Sequence, residues 1–265
     1  MKIILTGSMG NLGSQIHQIK DIQFLPVGRE NWTELNQITN SEYHSVIHCA
    51  YDLKKNINEM PDEVLDSNII STARLLRVCK EKKIPNFIFI SSCAVYGDSS
   101  NSAEDKICQP VSMNGHIKLF NEELVKSFCL ANKINYLILR VFNTYGGADQ
   151  FSVVQRIIDC AKKNKRFTLV NEGVSERDFI HVEDVANILG KLVKLDLKNE
   201  VINVGSGESV RIVDIVKAVE KKFGKIEIDK KANPNEAVFS RANIKKLKSL
   251  MQFEPINIIN FIDKI

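Results

Sequence analysis

The 265-residue sequence predicts an α/β fold: a doubly wound parallel sheet joined to a smaller α/β lobe. Three observations lead there. Short β-branched apolar runs alternate with segments of helical period through about the first 145 residues. Those runs are apolar at consecutive positions, as befits strands covered on both faces. A glycine-rich turn joins the first run directly to the first helix.

The elements follow in order. Lys2 to Leu5 is a strand, and a helix is expected from about Leu12 to Ile19. Phe24 to Val27 and Ser45 to Ala50 are the next strands. Leu65, Ile69, Ala73 and Leu76 mark a helix by their spacing. Phe87 to Ile90, introduced by Pro85, is a strand. A helix over about 115–130 carries Phe120, Leu124 and Phe128 four apart, and Tyr136 to Phe142 returns to strand. Beyond Asn143, helices over about 151–164, 182–195 and 209–223 alternate with short strands at Thr168–Val170 and Val201–Val204. Residues 1–145 are read as the sheet domain. Residues 146–265 are read as mostly a second lobe, with segments returning to the first sheet.

The turn after the first strand reads Thr6-Gly7-Ser8-Met9-Gly10-Asn11-Leu12-Gly13. Gly7 permits a tight turn, Gly10 lets backbone approach a pyrophosphate, and Gly13 lets the helix lie close to the sheet. The helix start then offers unpaired N–H groups to phosphate, which is the logic of a Rossmann dinucleotide site. Strand, glycine turn and helix in direct succession are the context that gives this motif weight. At the end of the second strand stand Arg29 and Glu30. An arginine there pairs with a 2′-phosphate and an acid binds a ribose hydroxyl, so NADP(H) is favoured and NAD(H) stays open.

The composition narrows the classes. A net charge of +4 comes from scattered lysines, with short clusters at 162–166 and 245–248 that read as solvated helix faces. No basic stripe or motif points to nucleic acid. The six cysteines form no C-x-x-C pair and have no histidine cluster beside them, so no metal site is expected and free thiols in a reducing compartment are. The first strand leaves no room for a leader, and no apolar run is long enough to span a membrane; the cytoplasm is the expected location.

Longer segments carry a resemblance. Val46-Ile47-His48-Cys49-Ala50, Asn68, Phe87-Ile88-Phe89-Ile90-Ser91-Ser92-Cys93-Ala94-Val95-Tyr96-Gly97, Arg140 to Gly146, Arg177 to Ala186, Ile202 to Gly207 and Arg241 to Pro255 occur in order. Together they resemble the NAD-dependent epimerase/dehydratase family of extended short-chain dehydrogenases, nearly end to end. In the last segment Asn243 stands where Asp is usual. The resemblance makes 46–50 the family's fourth strand and 87–90 its fifth. It implies coenzyme contacts at Ala50, Tyr51, Ser91, Val141 and Phe142. It also implies a sugar-nucleotide substrate held by Asn143 and Arg177, with help from Arg241 or Lys231. It further suggests a homodimer formed through the helix that carries the family lysine.

Family chemistry uses a Ser, a Tyr acid/base and a Lys four residues after it. Ser92 matches the Ser and Lys118 the Lys, but the Tyr position in Pro110 to Lys118 is Asn114. An amide does not ionise in the accessible pH range, so it cannot transfer the proton. Either another group or water supplies it, or the chain binds coenzyme and ligand without turnover, or it is an altered form of an active enzyme. Tyr51 is one candidate substitute. His116 points about 200° away from Asn114 on a helix and is not. His48 reads as a satisfied core histidine, and Cys93 as a packing residue pointing away from Ser92. Cys93 and Ala94 replace the Asp-Glu pair of the family's 4,6-dehydratases, so the resemblance favours reduction or epimerisation at C4 of a hexose.

Overall fold

The structure is a computed structural model that describes residues 1–28, 31–38, 42–52, 55–234 and 236–265. In chain order its elements are β1 Lys2–Thr6, α1 Asn11–His17, β2 Gln23–Val27, α2 Glu34–Gln37, β3 Ser45–His48, α3 Pro61–Leu65, α4 Ser71–Glu81, β4 Asn86–Ser92, β5 Ser99–Ser102 and α5 Met113–Ala131. They continue as β6 Asn135–Val141, β7 Asn143–Tyr145, α6 Val153–Lys162, β8 Phe167–Val170, β9 Glu176–His181, α7 Val182–Leu192, β10 Glu200–Val204, β11 Ser209–Arg211, α8 Ile212–Phe223, β12 Ile228–Lys231, β13 Phe239–Ala242, α9 Lys245–Leu250 and α10 Ile258–Lys264.

Six strands form one parallel sheet in the order β10-β6-β4-β3-β1-β2. Strand alternation splits its side chains between two cores. Ile3, Leu5, Ile47, Ile88, Ile90, Leu137 and Leu139 face one side, where Ile16 of α1 and Val185, Ile188 and Leu189 of α7 meet them. Ile4, Val46, Phe87, Phe89 and Ile138 face the other, against Leu75, Leu76 and Cys79 of α4 and Val125 and Cys129 of α5. Consecutive apolar residues along each strand therefore reflect helices on both faces, as the sequence pattern predicts. Among the described residues the strands at 45–48 and 86–92 are third and fourth in order.

A second sheet, β11-β9-β13-β5, has β7 paired to β9, and β8 and β12 form a short parallel pair. α6, α8 and α10 pack a third core around Ile157, Ile215, Val219 and Ile262. Chain segments cross between the halves in both directions: β5 joins the second sheet, while α7 and β10 return to the first. The helix expected over 209–223 begins only at Ile212, because 209–211 pair antiparallel with β9. No helix among the described residues is long and apolar enough to cross a membrane.

Two helices bury a different face from the one their spacing suggests. In α5 the buried positions are Ile117, Lys118, Asn121, Glu122, Val125 and Cys129, while Phe120 is exposed. Polar residues with partners inside the fold share that face with Ile117, Val125 and Cys129. Between α3 and α4 a π-helical turn, Asp66–Ile70, carries the helix through and turns Val64 and Asn68 inward, leaving Leu65 exposed.

His48 sits mid-strand with both ring nitrogens engaged, Nδ1 with the Thr6 hydroxyl at 2.7 Å and Nε2 with that of Thr72 at 3.0 Å. Burial, with a smaller contribution from Lys118, pushes its pKa from 6.5 down to about 3. Between those values the unfolded chain binds a proton that the folded chain excludes, so stability falls as pH drops through that window. By about pH 4 the loss is on the order of 3 kcal/mol. A His48→Gln variant is expected to lose less stability than the unaltered chain between about pH 7 and about pH 4, measured by urea unfolding. Identical pH slopes would contradict the assignment.

Candidate functional site

A cleft of about 1500 Å³ opens at the carboxyl ends of β1, β3, β4 and β6 and extends to β8, β9 and the start of α8. At its floor the chain leaves β1 through Gly7, whose φ of +74° suits glycine. A Cβ on Gly7 would lie 2.6 Å from the Ala50 nitrogen, and one on Gly13 would lie 1.9 Å from the Gly7 carbonyl oxygen. Both positions are closed to a side chain by backbone. At Gly10 a Cβ would meet only the Gly7 oxygen, at 3.3 Å. The Gly10 N–H donates to that same oxygen at 3.0 Å, so the turn is held by its own backbone. The result is a cradle of bare backbone along one wall, which suits a phosphate-bearing ligand.

Gly7, Met9, Gly10, Asn11, Leu12 and Gly13 line the cleft, and Ser8 is not among the lining residues. Met9 is exposed, whereas Leu12 packs onto the core below. The Asn11 amide donates to the Gly146 carbonyl at 3.0 Å and accepts from the Ala148 N–H at 2.9 Å, tying the loop after β7 to the glycine turn. Arg29 lies outside the described residues, though its neighbours Gly28 and Trp32 line the cleft.

Ala50, Tyr51, Ser91, Ser92, Asn114, Lys118, Val141, Phe142, Asn143 and Arg177 converge on this space. Lys118 reaches in from α5, and its Nζ donates to the Ile90 carbonyl at 2.7 Å and lies 4.1 Å from the centre of the Tyr51 ring. Burial lowers its pKa to about 8. The Ser92 hydroxyl accepts from the Ala94 N–H at 3.2 Å, while that of Ser91 points into the core and donates to Glu122 at 2.5 Å. Ser91 therefore offers the cleft its backbone and not its hydroxyl. Cys93 begins a 3₁₀ turn after β4, so strand alternation no longer governs it, and its thiol meets the Ser92 and Ser240 hydroxyls.

Asn114 and Tyr51 meet in the cleft, where the Tyr51 hydroxyl donates to Asn114 Oδ1 at 3.2 Å. Burial pushes the Tyr51 phenol up to about 12. The backbone on either side of Tyr51 is pinned. The Ala50 N–H donates to the Thr6 hydroxyl at 3.3 Å, and buried Asn68 bonds both the N–H and the carbonyl of Asp52. His116 is exposed on the helix and does not line the cleft.

On the facing wall the Asn143 amide donates to the Asp178 carbonyl at 2.8 Å. Arg177 pairs with neither Asp178 nor Asp184. Its guanidinium meets Glu236 at 3.2 Å and donates to the carbonyls of Glu176, Ala237 and Val238. Arg241 is exposed and does not line the cleft; on β13 it alternates with Ser240, the residue beside Cys93. Sequence reasoning missed Glu236 and Glu122. Glu122 had a signal, since it lies four residues after Lys118 on the same helix face. Glu236 had none, being 59 residues from Arg177.

The comparisons agree with this architecture. The model of the family described as NAD dependent epimerase/dehydratase matches residues 3–205. A Bacillus subtilis (strain 168) protein, described as the uncharacterized UDP-glucose epimerase YtcB, is 31% identical over 195 residues, covering 71% of this chain and 61% of the relative. A putative UDP-glucose 4-epimerase of Methanocaldococcus jannaschii is 30% identical over 196 residues, covering 71% of this chain and 64% of the relative. The chain thus spans less than two thirds of the length of either relative. Among solved structures, the UDP-glucuronic acid 4-epimerase of Bacillus cereus in complex with UDP-glucuronic acid and NAD superposes with a TM-score of 0.85 at 25% identity, covering 100% of this chain and 97% of that one. With the family match running from β1 through β10, across every strand of the six-stranded sheet, the chain belongs to the NAD-dependent epimerase/dehydratase family.

Proposed function

We propose that this chain binds a nicotinamide dinucleotide along the glycine turn and reduces or epimerises a nucleotide-activated hexose, with the reaction at C4. The observation that carries the reading is the convergence of the bare-backbone cradle with Ser92 and Lys118 in one cleft. The residues fit a dinucleotide, since side chains are barred at Gly7 and Gly13 while the wall at Gly10 stays open. Bound nicotinamide would supply a reversible hydride acceptor. Lys118 would hold its ribose, Ser92 would orient the reacting oxygen, and Asn143 and Arg177 would hold the sugar nucleotide. The UDP-sugar and NAD named for the Bacillus cereus structure support this ligand pair. The arginine that the sequence carries at position 29 makes NADP(H) the favoured coenzyme over NAD(H). The same reading puts the protein in the cytoplasm and pairs it through α5 as a homodimer.

The test uses the chain's single tryptophan, Trp32, which lines the cleft. Titration with NADPH and NADH is expected to quench its emission by energy transfer to the reduced ring, with the tighter curve for NADPH. Oxidation of NADPH by some member of a panel of 4-keto sugar nucleotides, or interconversion of C4 epimers, would establish turnover. Quenching without any turnover would select the binding-protein reading that the amide at Asn114 raises. Uptake of neither coenzyme would reject both.

A further inference from the structure

We infer that Tyr51 is the proton-transferring residue of this cleft and that Asn114 positions its hydroxyl. The inference rests on the coenzyme-dependent reading above and names the acid/base which that reading leaves open. Hydride exchange at a carbon bearing oxygen requires a proton to leave or join that oxygen, and an amide cannot exchange one.

The groups near Lys118 and Ser92 narrow quickly. His48 is buried and held at both nitrogens by Thr6 and Thr72. The Cys49 thiol packs against the apolar core beneath the sheet. Asp52 ion-pairs with Lys55 at 3.9 Å. On the far wall Asp149 caps the N–H groups of Phe151 and Ser152, and Glu236 is bound to Arg177. Asp66 is paired with Arg74, and the Cys93 thiol meets the Ser92 and Ser240 hydroxyls. Tyr51 remains, with its hydroxyl on Asn114 and the Lys118 ammonium 4.1 Å from its ring centre.

The electrostatics suit the task. Burial keeps the phenol protonated at neutral pH, so the resting group is a donor. The neighbouring ammonium lowers the cost of the phenolate as it forms. Asn114 can serve both states, because its amide accepts from the phenol through Oδ1 and, once rotated, donates to the phenolate through Nδ2. In the reducing direction a hydride reaches the carbonyl carbon and the C=O π pair moves to oxygen. The Tyr51 O–H bond breaks, its proton joins that oxygen, and the phenolate recovers a proton from water. In the oxidising direction the Tyr51 phenol first gives its proton to water, and the phenolate then takes the substrate's hydroxyl proton as the hydride passes to the oxidised coenzyme, which would be its acceptor.

Tyr51→Phe tests this with the ring, and so its contact with Lys118, retained. In the full chain, kcat is expected to fall about 10²–10⁴-fold. KM and the coenzyme dissociation constant from Trp32 quenching should stay within about twofold. Placing Asn114→Tyr on that background should restore at least about tenfold, since a phenol then reaches the same point from α5. A readout independent of turnover is the tyrosinate difference spectrum. The ionisation missing from Tyr51→Phe should move to higher pH in Lys118→Met. A Tyr51→Phe enzyme within about threefold of the unaltered rate would overturn the inference. So would parallel loss of rate and coenzyme binding, which would make Tyr51 a structural residue. An unaltered chain that binds coenzyme but turns over nothing would remove the reading beneath it instead.

Discussion

Glu122→Ala is expected to cost about 3–5 kcal/mol of folding stability, measured by urea unfolding. Glu122 is fully buried on α5, and its carboxylate is the hub of a polar network inside the fold. Arg140 of β6 donates to it from Nε at 3.1 and 3.2 Å and from Nη2 at 2.7 Å, and Ser91 adds a fourth bond. The other arm of Arg140 donates to the Tyr96 hydroxyl at 2.9 Å, which in turn donates to Asn203 of β10 at 2.7 Å. Removing the carboxylate strands the guanidinium charge in a medium that cannot solvate it. The double change Glu122→Leu with Arg140→Met is expected to recover most of the loss, because the stranded charge goes with it. A single variant losing less than about 1 kcal/mol would show that water reaches Arg140 once the acid is gone.

Lys118→Met is expected to move activity and stability in opposite directions. Loss of the residue proposed to hold the ribose and support the Tyr51 phenolate should lower kcat/KM at least about 10²-fold. Yet the folded chain is disfavoured by a buried ammonium whose pKa has fallen from 10.5 to about 8. Between about pH 8 and 10.5 the unfolded chain holds a proton that the folded chain releases, so stability rises with pH across that window. Below about pH 8 both states are charged and the full cost of burying the charge is present. Methionine keeps the packing and removes the charge. The variant should therefore gain about 1–3 kcal/mol near neutral pH and lose the alkaline rise, with the forfeited bond to the Ile90 carbonyl setting the lower end. A variant that is both inactive and less stable would contradict the account of Lys118 as a charge held at a cost for function.

The sequence shows those parts of the fold whose cause is local. β1, β3, β4 and β6 are apolar at successive positions because helices cover both faces, and that pattern is visible in the residues alone. β5 is Ser-Ser-Asn-Ser and β13 is Phe-Ser-Arg-Ala. Neither carries a period-two apolar signal, and both are strands only because β9 and its neighbours present open backbone to pair with. In the site, the glycine turn was legible from spacing, while Ser92, Asn114 and Lys118 were legible only through the family resemblance. The meeting of Tyr51 with Asn114 was not, since 63 residues separate them and only the fold brings the first turn of α5 beside the loop after β3. Glu122 shares a helix face with Lys118, yet beside Glu123 it reads equally as one acid of a charged surface. Its burial depends on an arginine of the next element, β6, a fact carried by tertiary placement and not by either residue.

The return of α7 and β10 to the first sheet has a consequence for how the chain is made. While the ribosome has issued only the first half, β6 exposes a row of unsatisfied amides and carbonyls along its free side. The apolar face around Ile3, Leu5 and Ile47 meanwhile lacks Val185, Ile188 and Leu189. That nascent intermediate is sticky by construction, and it stays so until residue 204 has emerged and docked.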